Sequence, residues 1–203
     1  MQPDLAFGPN DRHRLYLYMP DGATTDTPLV LFLYGGGWRW ESRGRYGFVG
    51  YALASRGFAV AVADYRLHPE VKFPAFNHDA ARAAAWLQSN RERFGLAPGP
   101  LHLVGHSAGA HIAALVAFDP RHLGEWDLTP KDIGRLVGLS GPYGMHPSRV
   151  GFIADIFPPA EYEAEARPVA FARAGAPPML LHGVEDSLVA PLNSLRMAEA
   201  QTA

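Results

Sequence analysis

Short apolar runs alternate along the chain with longer segments of helical spacing. Five of the runs are strand-sized and lack alternation, at residues 28–34, 58–64, 101–105, 135–139 and 178–181. This pattern is typical of strands that are buried on both faces of a sheet. Residues 14–19 alternate instead and lead into a Pro-Asp-Gly turn, which predicts one further strand near the start of the chain.

Helical spacing fills the intervals between these runs. The segments with apolar residues three and four positions apart are 46–56, 76–94, 108–118 and 192–200. Strands that alternate with helices predict crossover connections and a mostly parallel sheet. We therefore predict an α/β fold, a three-layer α/β/α sandwich, with one domain over residues 1–203. Residues 146–174 are irregular, and we predict that they form a cap or lid segment.

Composition narrows the class of protein. Hydrophobic residues make up 48% of the chain, the net charge is −2, and the basic residues are spread along the sequence. This distribution argues against nucleic-acid and membrane partners. Residues 1–10 lack the blocks of a signal peptide, so we expect a cytoplasmic protein. The chain has no cysteine and no His-Glu-x-x-His motif, so we predict no disulfide, no metal and no cofactor.

The sequence Gly-His-Ser-Ala-Gly at 105–109 is the strongest chemical signal in the chain. It follows a predicted buried strand and opens a predicted helix, which is the context of a nucleophile elbow. A serine hydroxyl is a poor nucleophile unless it is exposed, aimed and activated, and glycines at both flanks allow so sharp a turn. We predict that Ser107 is a catalytic nucleophile rather than a serine in an ordinary glycine-rich turn.

A triple-glycine loop follows another predicted strand. Tyr34 precedes three glycines at 35–37, and Trp38 follows them. Backbone N–H groups without side chains can approach a developing oxyanion closely, so we predict an oxyanion hole formed by the amides of Gly36, Gly37 and Ala108. A phosphate-binding loop is the alternative, but it would require a lysine and an immediate helix.

A candidate acid follows the last predicted strand, in the sequence His-Gly-Val-Glu-Asp at 182–186. A carboxylate in such a turn could orient an imidazole, and we favour Asp186 over Glu185. By itself, this segment would favour a solvated acidic turn over a catalytic acid. The order serine then acid is the order found in hydrolases of this architecture.

With these motifs, the sequence resembles a known family. The motifs resemble those of α/β-hydrolase carboxylesterases of the fold-3 and feruloyl-esterase-like groups, and those of kynurenine formamidases and isoprenylcysteine methylesterases. The segments that carry the resemblance are 34–38, 64–69, 73–75, 105–112 and 180–189. The resemblance implies hydrolysis of a small-molecule ester through an acyl-enzyme, with Ser107 and Asp186 in the triad and no cofactor.

Two departures from the family pattern change the expectation. Tyr34 stands where the family motif usually opens with histidine, which puts the fine geometry of the loop in question. The resemblance also implies a catalytic histidine after the acid, yet residues 187–203 contain none. We therefore expect weak activity and a chain that lacks the last strand and helix of the fold. The strand at 178–181 would then be an exposed edge that favours a homodimer.

Several other residues are candidates for a role at or near the site. None of the nine histidines has a position that clearly makes it a substitute base, and His182 is the nearest candidate in the sequence. We expect Trp38, Tyr65 and His106 to line the substrate pocket. We expect Asp64 and Arg66 to pair with each other structurally. Asp79 is expected to complement a helix end by its charge.

Two further functions stay open at this stage. An amide hydrolase of the formamidase kind would share the motif at 105–111, and N-formylkynurenine against p-nitrophenyl acetate would separate the two activities. A non-catalytic binding protein derived from an esterase would explain the missing histidine. Labelling by a fluorophosphonate probe separates that class from the enzymes.

Overall fold

The computed structural model describes residues 1–144, 151–157, 164–174, 186 and 188–202, together with the backbone of 179–182. Its centre is a seven-stranded sheet in the order β1-β2-β4-β3-β5-β6-β7. The strands are β1 (Gln2–Ala6), β2 (Arg14–Tyr18), β3 (Leu29–Leu33), β4 (Ala59–Ala63), β5 (Leu101–His106), β6 (Ile133–Leu139) and β7 (Met179–His182). β2 runs antiparallel to β1 and β4, and the remaining pairs are parallel.

Five helices accompany the sheet in the described part of the chain. They are α1 (Gly47–Ala54), α2 (Ala75–Ser89), α3 (Ala108–Phe118), α4 (Pro120–Gly124) and α5 (Leu192–Thr202). From β3 the chain crosses to β4, its neighbour on one side in the sheet. From β4 it returns past β3 to β5, which is the neighbour of β3 on the other side. Right-handed crossovers therefore place α1 and α2 on opposite faces, and α2 packs against α3. The predicted α/β/α sandwich with a mostly parallel sheet is confirmed.

The apolar runs form the centre of the sheet, as predicted. All five residues of β3 and all five of β4 are buried. β1 was not predicted, because its sequence Gln-Pro-Asp-Leu-Ala has no apolar alternation and its side chains are mostly exposed. Within the described residues, none of the helices combines the length and the hydrophobicity that crossing a bilayer requires.

The topology brings three loops to one place. β3 and β5 are neighbours in the sheet, and the connection after β3 runs to β4 on one side while the connection after β5 runs to β6 on the other, which opens a crevice between their carboxyl ends. Leu33 is level with Gly105 in β5, and Gly105 is level with Gly138 in β6. The residues that follow β3, β5 and β6 therefore meet at the same edge, and β7, which is parallel to β6, delivers Asp186 to that edge as well.

Candidate active site

Ser107 occupies the junction between β5 and α3 in a strained backbone conformation. Its φ is 52° and its ψ is −119°, a region of backbone conformation that residues other than glycine seldom adopt. Three backbone hydrogen bonds hold it there: its N–H donates to the carbonyl of Leu139 (2.8 Å), and its carbonyl accepts from Ala110 (3.0 Å) and His111 (3.1 Å). The serine side chain is half-buried and borders a cavity.

The glycines that flank the serine are required by close backbone contacts. A Cβ on Gly105 would clash with the carbonyl of Gly109 and lie 2.5 Å from the Cα of Ala110. A Cβ on Gly109 would clash with the carbonyl oxygens of Leu33 and Tyr34 at the end of β3. The start of α3 is thus pressed onto the end of β3, which agrees with the expectation from the motif.

The triple-glycine loop lies directly against this junction. A Cβ on Gly35 would be 3.1 Å from the Cβ of Ser107. Gly36 and Gly37 have φ values of 112° and 58°, and the carbonyl of Gly36 accepts from the amides of Arg39 (3.1 Å) and Trp40 (3.0 Å).

The three amides expected to form the oxyanion hole have no hydrogen-bond acceptor among the described residues. They are the N–H groups of Gly36, Gly37 and Ala108, the first residue of α3. Because none of the described residues accepts from them, these amides can donate to a ligand oxygen.

A cavity of about 340 Å³ opens beside Ser107. Its described lining is almost entirely apolar, and the residues are Gly36, Gly37, Trp38, Trp40, His106, Ser107, Pro142, Phe152, Ile153, Leu188 and Val189. Trp38 is 2% exposed, and its ring meets the edges of His111 and Phe157 at centroid distances of 5.1 and 4.8 Å. The volume lies at the lower end of the range for small-molecule sites.

Asp186 lies in a turn that borders the cavity. Its Oδ1 accepts from the amides of Leu188 and Val189, each at 2.9 Å, and both of these residues line the cavity. The bond from Val189, the hydroxyl of Ser140 and the bond from Leu188 lower the pKa of Asp186 below its ordinary value. The carboxylate is therefore ionised at neutral pH.

The histidines lie in different environments. Among the described residues His106 is the one that lines the cavity; burial lowers its pKa, and the charge of Asp186 opposes that shift. His111 is completely buried and its Nε2 donates to the carbonyl of Ala166 at 2.7 Å; burial lowers its pKa to about 4. The side chains of His146 and His182, and all of Glu185, lie outside the described residues.

Tyr65 does not line the cavity, contrary to the prediction. It is fully buried, and its hydroxyl donates to the carbonyl of Tyr34 at 2.7 Å. Its ring stacks on that of Tyr34 at a centroid distance of 4.7 Å. After β4 the chain passes behind the triple-glycine loop, so Tyr65 supports the loop from below. Tyr34 itself is buried, with its hydroxyl donating to Asp64 at 2.8 Å.

The expected pair of Asp64 with Arg66 is wrong. Asp64 instead accepts from the amide of Arg43 (2.7 Å) and pairs with its guanidinium. Arg66 pairs with Asp79 at 2.6 Å, and Asp79 also bonds His13 at 2.9 Å. β4 ends at Ala63, so both residues lie in the connection that follows the strand, where their side chains reach different partners. Asp79 is accordingly the acceptor of a buried polar cluster and not an exposed helix-end charge.

Three arginines near the site were missed in the sequence. Arg12 donates to the carbonyl of Tyr65 (2.9 Å) and to the hydroxyl of Tyr34 (3.2 Å), Arg43 binds Asp64, and Arg39 contacts the segment 151–157. The partners lie between 21 and 116 positions away in the chain. No local spacing signals a contact over such separations.

No group of side chains suited to a metal ion occurs in the described part of the chain. The same part offers a serine at a strained corner, nearby amides that no described residue accepts from, and an ionised carboxylate in a turn whose next residues line the cavity. This set of groups suits acyl transfer to a hydroxyl.

Comparisons with known proteins agree with this chemistry. Isoprenylcysteine alpha-carbonyl methylesterase of Arabidopsis thaliana is 34% identical over 148 residues, which are 70% of this chain and 34% of that protein. Kynurenine formamidase of Danio rerio is 30% identical over 144 residues, 71% of this chain and 47% of that protein. This chain thus spans between a third and a half of the length of these curated relatives.

A solved structure extends the similarity to the fold of nearly the whole chain. The apo form of Thermogutta terrifontis esterase 2 superposes with a TM-score of 0.82 at 25% identity, covering 99% of this chain and 78% of that one. The profile of the BD-FAE family matches residues 15–162. These similarities and the geometry at Ser107 lead to one conclusion: the chain belongs to the BD-FAE family of α/β-hydrolases.

Proposed function

We propose that the protein is a serine hydrolase that cleaves carboxylic esters through an acyl-enzyme on Ser107. The observation that carries the proposal is the strained conformation of Ser107 beside the triple-glycine loop, where the amides of Gly36, Gly37 and Ala108 have no acceptor among the described residues. A serine held in this way faces the donors that a tetrahedral intermediate needs.

The proposed reaction has two steps. The hydroxyl oxygen of Ser107 attacks the ester carbonyl carbon, its proton leaves to a base, and the carbonyl oxygen becomes an oxyanion bound by the three amides. The intermediate collapses, the alcohol leaves with a proton, and water then hydrolyses the acyl-enzyme by the same route. The positive end of α3 adds to the stabilisation of the oxyanion.

Asp186 is the proposed acid of the triad. In this scheme the acid acts through an imidazole, which it orients and whose positive charge it stabilises. Residues 187–203 contain no histidine, so we propose that a polypeptide made of residues 1–203 alone hydrolyses esters only weakly. Binding and oxyanion stabilisation alone leave about 10³–10⁴-fold acceleration over water.

The cavity favours an ester over the amide of a charged amino acid. Its described lining contains no lysine, arginine, aspartate or glutamate. A substrate of the formylkynurenine kind would bring an ammonium and a carboxylate into these apolar surroundings, where the described lining residues offer neither charge an acidic or basic partner. We therefore expect measurable hydrolysis of p-nitrophenyl acetate and none of N-formylkynurenine.

The decisive experiment is covalent labelling with a fluorophosphonate. We expect wild-type protein to gain one adduct by mass spectrometry, localised to Ser107, and Ser107→Ala to gain none. Ser89→Ala, which replaces a hydroxyl at the end of α2, is the matched control and should label like wild type. Wild-type protein that stays unlabelled would instead support the non-catalytic binding protein.

The compartment and the assembly are secondary parts of the proposal. β7 is the end strand of the sheet. Among the described residues it pairs with β6 along one edge, and no strand pairs with its other edge. This arrangement supports a homodimer through the β7 edge, which sedimentation at two protein concentrations would test. A cytoplasmic location remains a prediction from the sequence.

A further inference from the structure

Arg39 joins the oxyanion loop to a separate wall of the cavity. It is the second residue after the triple glycine, and its amide is bound by the carbonyl of Gly36. Its guanidinium donates through Nε to the carbonyl of Phe152 (2.8 Å) and pairs with the carboxylate of Asp155. His68 completes the group, with its Nδ1 2.8 Å from Arg39 and its Nε2 3.2 Å from Asp155.

These contacts use the full fork of the guanidinium. One planar group binds a carbonyl, a carboxylate and an imidazole at three different nitrogens. Such a fork fixes direction as well as distance, which the ammonium of a lysine cannot do. The side chain of Arg39 is 22% exposed, so the contacts are only partly screened by water. The segment 151–157 is therefore held in a defined position relative to the loop.

The side chains held in this way face the oxyanion loop. A methyl group placed on Gly37 would lie 3.4 Å from the ring of Phe152 and 3.3 Å from that of Trp40. The two rings stack with an interplanar angle of 22° and a centroid distance of 6.2 Å. Both are about half exposed although they are large and apolar. Together with Ile153 they form the outer wall of the cavity, which we call the aromatic wall.

We propose that Arg39 is a positioning residue that fixes the aromatic wall beside Ser107 and thereby sets the fit of an uncharged hydrocarbon acyl chain longer than acetyl. The inference rests on the proposed ester hydrolysis and specifies its substrate class. An acetyl group ends close to the attacked carbon and makes little use of the wall. A butyryl chain reaches further into the apolar cavity, where each methylene contributes to binding.

The test compares two esters with the same leaving group. For Arg39→Gln we expect the KM for p-nitrophenyl butyrate to rise about fivefold or more, with kcat for either ester changed less than about twofold. Asp155→Asn should move KM in the same direction to a smaller extent, because it weakens the same contact from an exposed position. Arg39→Lys should fall between wild type and Arg39→Gln. Arg56→Gln, an exposed arginine at the end of α1, is the matched control.

A binding measurement separates this inference from the proposed catalysis. In the Ser107→Ala background, the Kd for p-nitrophenyl butyrate, measured by quenching of tryptophan fluorescence, should rise about fivefold when Arg39→Gln is added. That rise supports the role of Arg39 even if Ser107 proves not to be a nucleophile. Equal Kd values, or equal effects on the acetyl and butyryl esters, would overturn it while leaving the hydrolase proposal intact. Circular dichroism confirms that each variant is folded.

Discussion

The two halves of the site are built differently. The nucleophile half consists of residues 33–40 and 105–111. The acid half consists of residues 186 and 188–202, which are the residues that the structure describes there. Every residue of α3 is buried, and its first turn touches the backbone of β3. In α5, by contrast, Leu192 and Leu195 are 49% and 60% exposed, and Leu188 beside the acid is 73% exposed.

This difference shows which half carries the geometry of the reaction. In the nucleophile half, direct backbone contacts leave no room for an added methyl group at Gly105 or Gly109. In the acid half, Asp186 is held by a local turn through the amides of Leu188 and Val189. Changes in the first half should therefore cause large losses, and changes in the second should cause small ones.

The largest effect is expected from Gly109→Ala. The new methyl group would collide with the carbonyls of Leu33 and Tyr34, so α3 would have to move away from β3. We expect the free energy of unfolding to fall by about 3 kcal/mol or more in urea denaturation. Gly124→Ala, in a helix where nothing lies within 4 Å, should stay within about 1 kcal/mol of wild type. Equal stabilities for the two variants would refute the close-contact argument.

Gly36→Ala comes next and acts on activity. Its Cβ would lie 2.5 Å from the carbonyl of Trp40, and a φ of 112° is unfavourable for alanine. The loop must shift and misplace an oxyanion donor, which typically costs about 10²–10³-fold in rate. Gly44→Ala, whose nearest neighbour would be 3.9 Å away, is the control in an ester hydrolysis assay. Retained activity in Gly36→Ala would remove this loop from the proposed oxyanion hole.

The buried imidazole behind the nucleophile makes stability depend on pH. Burial lowers the pKa of His111 to about 4, while the unfolded chain protonates near pH 6.5. The unfolded state therefore binds a proton that the folded state rejects, and stability falls as the pH drops from about 6.5 to about 4. The loss from this residue is at most about 3 kcal/mol.

A variant isolates the contribution of His111. His111→Gln retains a donor for the carbonyl of Ala166 but does not titrate, so its urea midpoint should change less across this pH range. His122→Gln should flatten the curve as well, since burial lowers the pKa of His122 to about 4. An unchanged pH dependence in both variants would contradict burial as the cause.

The smallest effect is expected from Asp186→Asn. The amide oxygen of asparagine can still accept from Leu188 and Val189, so the turn should persist. In a polypeptide of residues 1–203 alone, no histidine follows the acid, so its rate of ester hydrolysis should change by less than about twofold. A loss of about 100-fold would show that an imidazole, such as that of His106, works with Asp186 after all.

The same contrast explains what could be predicted from the sequence. β3, β4, β5 and α3 follow from local apolar patterns, and the glycines at 105 and 109 directly signal a close backbone approach. The positions of Tyr65 and Asp64 depended on long-range contacts with Tyr34 and Arg43, which leave no local pattern. The hydrogen bond from Arg39 to the carbonyl of Phe152 joins residues 113 positions apart, so the sequence could not predict it for the same reason.

The strained conformation at residue 107 is imposed by the surrounding backbone and does not depend on the serine side chain. Its peptide groups are fixed by Leu139, Ala110 and His111, and none of these bonds uses the hydroxyl. Another residue with a small reactive side chain, such as the thiol of a cysteine, can therefore replace Ser107 without a change in the backbone conformation. Protein engineers who seek new acyl-transfer chemistry could exchange the side chain at position 107 and keep the surrounding backbone.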